Sequence, residues 1–146
     1  MPSFTVASAQ ASEFHPGLQF AIQPGTGEFV EFQSGPILSP DHEVHVFYDS
    51  LRLAEPANWD CPEFEALTEV TGNVMSDNSG KITKFRLKSL NPPGVDYVKV
   101  GVFTTPDCYY GSEEIQIWFT GTDDYGNIIC YDSNFMKNYT FPVICK

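Results

Sequence analysis

The sequence predicts an all-β protein, a single antiparallel β-sandwich of the immunoglobulin-like type with about eight or nine strands. The chain of 146 residues is long enough for one domain to bury a core without help from metals. It is rich in Phe, Tyr and Val, and no stretch repeats its apolar residues with the period of a helix. Its 11 Gly and 11 Pro recur at short intervals, as the turns between many short strands require.

Each predicted strand is a short run of apolar, β-branched and aromatic residues that ends at a turn. In chain order the runs are residues 18–23, 28–33, 42–48, 64–74, 82–87, 95–103, 114–119, 128–131 and 139–144. Gly, Pro, Asn and Asp dominate the turns at residues 24–27, 39–41, 76–80, 91–94 and 123–127. Residues 1–16 are mostly small and polar and are expected to form a loosely ordered arm, which leaves residues 17–146 as the sandwich domain.

The seventh predicted strand has a clear alternation of side chains. Successive residues of a strand point to opposite faces of the sheet, so Ile115, Ile117 and Phe119 are expected to face the core. Gln116 and Trp118 then face outward. An outward-facing tryptophan on a strand is a candidate contact for a ligand.

The aromatic residues divide into a predicted core set and a predicted surface set. The phenylalanines expected to pack inside are Phe29, Phe32, Phe47, Phe64, Phe85, Phe103, Phe119 and Phe141. The rings expected in loops, at strand ends or on the outer face are Trp59, Tyr109, Tyr110, Trp118, Tyr125 and Tyr131. Tyr and Trp tolerate half-exposure because the ring is apolar while its O–H or N–H stays in water. Beside Asn and Ser side chains, such rings would form a stacking platform.

The charge of the chain excludes nucleic acid as a partner. The formal net charge is −11, whereas binding to a phosphate backbone needs clustered Lys and Arg. No apolar run approaches the roughly 20 residues of a membrane helix, so no membrane association is expected. The N-terminus lacks a basic start followed by an apolar core. We therefore expect a cytoplasmic or non-classically secreted protein, unless Met1 replaces a leader.

The four cysteines, Cys61, Cys108, Cys130 and Cys145, are widely spaced and form no C-x-x-C pair. This spacing excludes the common zinc patterns and thioredoxin-like redox chemistry. Three disulfide pairings are possible, and free thiols buried in a reducing compartment are an equally good interpretation.

The common catalytic motifs are missing from the sequence, so we expect a protein that is not an enzyme and needs no cofactor or metal. His42 and His45 resemble half of a zinc motif, but on a strand they would point to opposite faces. Asp123 and Asp124 lie in a Gly-bounded turn that lacks the calcium-loop pattern, so a hairpin loop is favoured.

A polar, aromatic tract near the C-terminus points to a function. It reads Cys-Tyr-Asp-Ser-Asn-Phe-Met-Lys-Asn-Tyr at residues 130–139. The tract resembles the aromatic-Asp-Asn-Asn-x-x-x-Asn-Tyr signature of family 21 carbohydrate-binding modules, which are starch- and glycogen-binding domains. Features of this family also appear in order upstream, as a Val-x-Val-x-Tyr strand at 44–48, an Asn-Trp pair at 58–59 and an aromatic strand at 114–119. The resemblance covers residues 42–144, and the Asn run of the family is Ser-Asn-Phe here.

The resemblance implies which residues contact a sugar. Trp59 and Tyr131 would stack on it, with Trp118 as a third ring. Ser133 and Asn138 would form hydrogen bonds, with Asn134 in the turn between them. The alternative is that Asp132 and Asn138 only shape a turn through local hydrogen bonds to the backbone.

Two functions compete on this evidence. The first is a non-catalytic carbohydrate-binding module for a polysaccharide or oligosaccharide, with α-glucan favoured. The second is a β-sandwich that uses its exposed aromatic residues to recognise another protein, as a defence or immunomodulatory factor would. The sequence leaves the oligomeric state open.

Overall fold

The computed structural model describes residues 16–22, 28–39, 42–54, 69–92, 97–108, 111–134 and 136–145. These residues form ten strands: β1 (Gly17–Ile22), β2 (Phe29–Gln33), β3 (Ile37–Ser39), β4 (Glu43–Asp49), β5 (Glu69–Ser76), β6 (Ile82–Ser89), β7 (Val98–Thr104), β8 (Ser112–Thr122), β9 (Ile128–Asp132) and β10 (Tyr139–Cys145). A short 3-10 helix, Ser50–Ala54, follows β4. The described residues include no helix of the length and apolarity that a membrane span needs.

The predicted all-β class is confirmed, and most predicted strands lie within a few residues of the observed ones. The strands form one curled sheet in the order β2-β1-β4-β7-β6-β5-β8-β10-β3, and β9 also pairs with β8. The predicted single antiparallel sandwich is not confirmed. The sheet is mixed, because β1 pairs with β4 and β10 pairs with β3 in parallel. The three-residue strand β3 was not predicted, since it is too short to show a periodic pattern.

The sheet curls at β6, whose two ends pair with different neighbours. Its first part pairs with β5, and its last two residues, Lys88 and Ser89, pair with β7. The curl brings side chains of β1 and β4 against those of β8 and β10. The ring of Tyr48 stacks on that of Phe119 with 3.7 Å between the centroids, and the Phe20 ring meets the Tyr139 ring at 5.0 Å. The core therefore lies inside the curl and is largely aromatic.

The predicted core is confirmed in part. The three side chains predicted to face inward on β8 are buried, namely Ile115, Ile117 and Phe119. The predicted core phenylalanines of β6, β7 and β10 are also buried, namely Phe85, Phe103 and Phe141. The prediction is wrong for Phe32 and Phe47, whose side chains are 60% and 40% exposed. The register explains the error, because Gln19 pairs with both residues and lies on the outer face of the sheet. Phe64 lies outside the described residues.

The cysteines are bridged in the described part of the chain. A disulfide joins Cys108, just after β7, to Cys145 at the end of β10. Cys130 is also disulfide-bonded, and Cys61 lies outside the described residues. Of the two interpretations left open by the sequence, the structure therefore contains disulfides and not free thiols.

Candidate functional site

The candidate site lies along the long strand β8, one edge of which pairs with two other strands. One edge of β8 pairs with β10 through Ser112–Ile117 and with β9 through Phe119–Thr122. Asp132 of β9 lies opposite Phe119, and Tyr139 of β10 lies opposite Ile117. A loop at residues 133–138 therefore leaves the sheet opposite the one remaining residue of β8, which is Trp118.

The loop at 133–138 is closed by its own hydrogen bonds. The amide of Asn138 donates to the carbonyl of Ser133 at 2.6 Å, and that of Lys137 donates to the carbonyl of Asn134 at 3.2 Å. Asn134, Met136 and Asn138 have positive φ angles of 50°, 72° and 56°. Asn tolerates this left-handed conformation better than most residues do. The loop sequence is therefore suited to this tight turn.

The predicted sugar contacts Ser133 and Asn134 have structural roles in this loop. The Ser133 hydroxyl accepts a hydrogen bond from the amide of Met136 at 3.1 Å. The Asn134 side chain donates to the carbonyl of Asn138 at 3.3 Å, and the backbone amide of Asn134 donates to the Asp132 carboxylate at 3.1 Å. The turn interpretation fits Asp132, whose carboxylate accepts a local backbone bond, but not Asn138, whose side chain bonds Gln116 on β8. The Ser133 and Asn134 side chains are both partly exposed, so the turn role leaves them able to meet a ligand.

Trp118 lies half-buried on the outer face of β8, as predicted. It is paired with Asn73 of β5, whose side-chain amide donates to the Trp118 carbonyl at 3.3 Å. The Lys84 ammonium of β6 donates in turn to the Asn73 side-chain oxygen at 2.9 Å. Asn73 is fully buried and lies between Trp118 and Lys84 on the same face of the sheet.

Polar and aromatic side chains surround Trp118 on the same face. The Asn138 side chain donates to the Gln116 side-chain oxygen at 2.9 Å, and Gln116 donates to the Asp77 carboxylate at 2.7 Å. Tyr131 pairs with Thr120, two residues along β8 from Trp118, and is 43% exposed. Lys84, Gln116, Trp118, Tyr131 and Asn138 together are called the Trp118 surface below.

A buried carboxylate anchors the loop to the core. Asp132 is fully buried and accepts hydrogen bonds from the hydroxyl of Tyr48 at 2.6 Å and from that of Tyr139 at 2.9 Å. The guanidinium of Arg52 lies 3.9 Å from Asp132 and stacks over the ring of Phe29 at 4.4 Å. Asp132 is the last residue of β9 before the loop at 133–138. This network therefore fixes where the loop leaves the sheet.

The same network predicts that stability falls at alkaline pH. Burial, together with the Asp132 carboxylate, raises the pKa of Tyr48 well above its ordinary value of 10.0 and raises the pKa of Tyr139 as well. The folded protein therefore keeps phenol protons that the unfolded chain releases above pH 10. The contribution of the two protonated tyrosines to the free energy of unfolding is present below pH 10 and is lost as the pH rises above it.

Urea denaturation between pH 8 and pH 11 measures this effect, with phenolate absorbance as a second readout. We expect Tyr48 and Tyr139 to ionise only when the protein unfolds. The double variant Tyr48→Phe/Tyr139→Phe should show a smaller loss of stability above pH 10. Equal pH dependence in the variant and the native protein would contradict this assignment.

The structure thus brings five of the six predicted site residues to one place: Trp118, Tyr131, Ser133, Asn134 and Asn138. Trp59 lies outside the described residues. The prediction missed Asn73 and Lys84. The alternation of side chains could have placed both residues on the outer face of the sheet. Val70 and Val74 of β5 point inward, and so do Phe85 and Leu87 of β6.

The Trp118 surface offers aromatic rings, amide groups and one ammonium group on the outer face of the sheet. Comparison of the chain with protein-family models, curated proteins and solved structures found no match. The resemblance to family 21 carbohydrate-binding modules therefore rests on the residues of the motif itself.

Proposed function

We propose that the protein is a non-catalytic glycan-binding module of immunoglobulin-like β-sandwich type, with the Trp118 surface as its binding site. The ligand is a polysaccharide or oligosaccharide, and α-glucan is favoured by the resemblance. One observation carries the proposal. The six-residue loop at 133–138 leaves the sheet directly opposite Trp118, so the Asn-rich turn and the outward tryptophan of the motif form one surface.

The chemistry of this surface suits a sugar. The C–H face of a sugar ring packs on an aromatic face, and Trp118 and Tyr131 present rings on one side of the sheet. Sugar hydroxyls need partners that both donate and accept hydrogen bonds, as the amides of Gln116 and Asn138 do. These two amides already hold each other at 2.9 Å, so their orientation is set before a ligand arrives.

The surface is open, so binding at a single site is expected to be weak. Such a module would gain strength from several contacts along one chain of sugar units. Turnover would need two carboxylates that face each other across the sugar. One carboxylate that contacts the Trp118 surface, that of Asp77, is engaged by Gln116.

Trp118→Ala is the test of this proposal. Titration calorimetry with maltoheptaose and β-cyclodextrin should show saturable binding to the native protein. The variant should bind about tenfold more weakly or not at all, because it loses the central ring. Tyr125→Ala is the matched control, since Tyr125 is 88% exposed in the β8–β9 turn and away from the loop.

A panel of β-glucans and chitin oligomers extends the test to other glycans. Binding to one of these, with the same loss in Trp118→Ala, would keep the site and change the sugar. A folded native protein that binds no member of the panel would overturn the proposal. The alternative of a protein-recognition domain would then take its place.

A further inference from the structure

An apolar groove of about 430 Å³ lies on the outer face of β4, β6 and β7. Its floor contains Phe47 and Val100, which pair with each other, and Val102 on the next outward position of β7. Leu90 also lines the groove. Three of these side chains are exposed apolar groups, with Phe47 40%, Val102 44% and Leu90 51% accessible to solvent.

The charges around this groove are all of one sign among the described residues that line it. The titratable lining residues are His45, Arg86 and Lys88, and no described lining residue is acidic. The chain as a whole has 19 acidic residues against 8 Lys and Arg. The titratable lining residues are therefore basic although the chain as a whole is acidic.

The three basic residues differ in their acidic partners. Arg86 pairs with Glu69 at 3.2 Å, and His45 lies 3.6 Å from Glu43. Lys88 has no acidic partner within 4.0 Å in the described part of the chain. It pairs across the sheet with Val100, so its ammonium group stands next to the apolar floor. This arrangement complements an anion that carries an apolar body.

The size of the groove suits a small molecule, because ligand sites typically measure about 300–1,000 Å³. We propose that it binds an amphiphile with a carboxylate head, such as a medium-chain fatty acid. The chain of the ligand packs on Phe47, Val100 and Val102, and its carboxylate meets Lys88 with Arg86 beside it. This site is separate from the Trp118 surface and does not depend on the glycan proposal.

Titration calorimetry with decanoate, below its micelle concentration, tests the site. Decan-1-ol has the same chain without the charge and should bind about fivefold more weakly. Lys88→Gln should weaken decanoate binding about two- to fivefold and leave decanol binding unchanged. Backbone amide shifts of β4 and β7 on addition of decanoate would locate the ligand.

Val102→Glu is the stronger variant, because it places a carboxylate on the floor of the groove. It should weaken decanoate binding at least about tenfold, since like charges would meet in the groove. Ile128→Glu is the matched control, because Ile128 on β9 is 45% exposed and lies outside the groove. Both variants should unfold at the same urea concentration as the native protein. Trp118→Ala should bind decanoate normally.

Three results would overturn the proposal. The first is no saturable binding of decanoate to the native protein. The second is equal binding of decanoate by Val102→Glu and the native protein, or equal binding of decanol and decanoate. The third is a dimer, seen by sedimentation, that Val102→Glu dissociates, because a second copy of the chain would then occupy the groove.

Discussion

Asp132→Ala is expected to lower the free energy of unfolding by about 3–5 kcal/mol. The change removes the acceptor for the hydroxyls of Tyr48 and Tyr139 and the anion beside Arg52. Arg52 is itself buried, with 7% of its surface exposed. The Arg52 guanidinium would stay buried without the carboxylate that offsets part of its desolvation cost.

Urea denaturation followed by circular dichroism measures this loss. Asp124→Ala is the control, because Asp124 is exposed in the β8–β9 turn and its loss should change stability by less than about 0.5 kcal/mol. Tyr48→Phe and Tyr139→Phe should each cost roughly 1 kcal/mol, since each removes one hydrogen bond to Asp132. A loss below about 1 kcal/mol for Asp132→Ala would contradict the role given to this network.

Asp132→Ala should also weaken glycan binding if the Trp118 surface is the site. The Asp132 carboxylate accepts the amide of Asn134 and so helps to define the loop at 133–138. Tyr48→Phe leaves that contact in place, so its glycan affinity should stay close to that of the native protein. The two variants therefore separate an effect on the loop from an effect on the core.

The double variant Cys108→Ala/Cys145→Ala is expected to lose about 3–4 kcal/mol of stability. The two cysteines are separated by 37 residues, and the bridge reduces the entropy of the unfolded chain over this whole loop. In the folded protein it ties the segment after β7 to the last strand. Reduction of the native protein would also break the bridge of Cys130, so the double variant is the cleaner experiment.

Thermal and urea unfolding of the double variant, without reductant, measure this effect. The variant retains the buried, apolar character of both positions, so a large loss reports mainly the missing cross-link. Stability within about 1 kcal/mol of the native protein would show that the bridge contributes little to the fold.

The local pattern of the sequence predicted the strands of this protein well. Alternation on β8 assigned Ile115, Ile117 and Phe119 to the core and Trp118 to the outside, and the structure confirms this. Alternation is a property of neighbouring residues, so it can be read without knowledge of the fold. It says which residues share a face, but it does not say which face is covered.

The error at Phe32 and Phe47 follows from that limit. On β4, apolar residues occur on both faces, with Val44, Val46 and Tyr48 on one side and Phe47 on the other. The strand pairings of the curled sheet decide that the first set is buried. Phe47 remains outside and forms part of the groove proposed here as an amphiphile site.

The sequence by itself determined the all-β class, the approximate positions of most strands, the outward position of Trp118 and the turn character of the Asn-rich tract. These features depend on side-chain alternation and on turn residues, which act over a few positions. Only the tertiary structure decided the mixed sheet order, the pairing of Cys108 with Cys145 and the burial of Asp132 against Tyr48. Each of these joins residues distant in the chain, and their contact depends on how the whole sheet curls around its aromatic core.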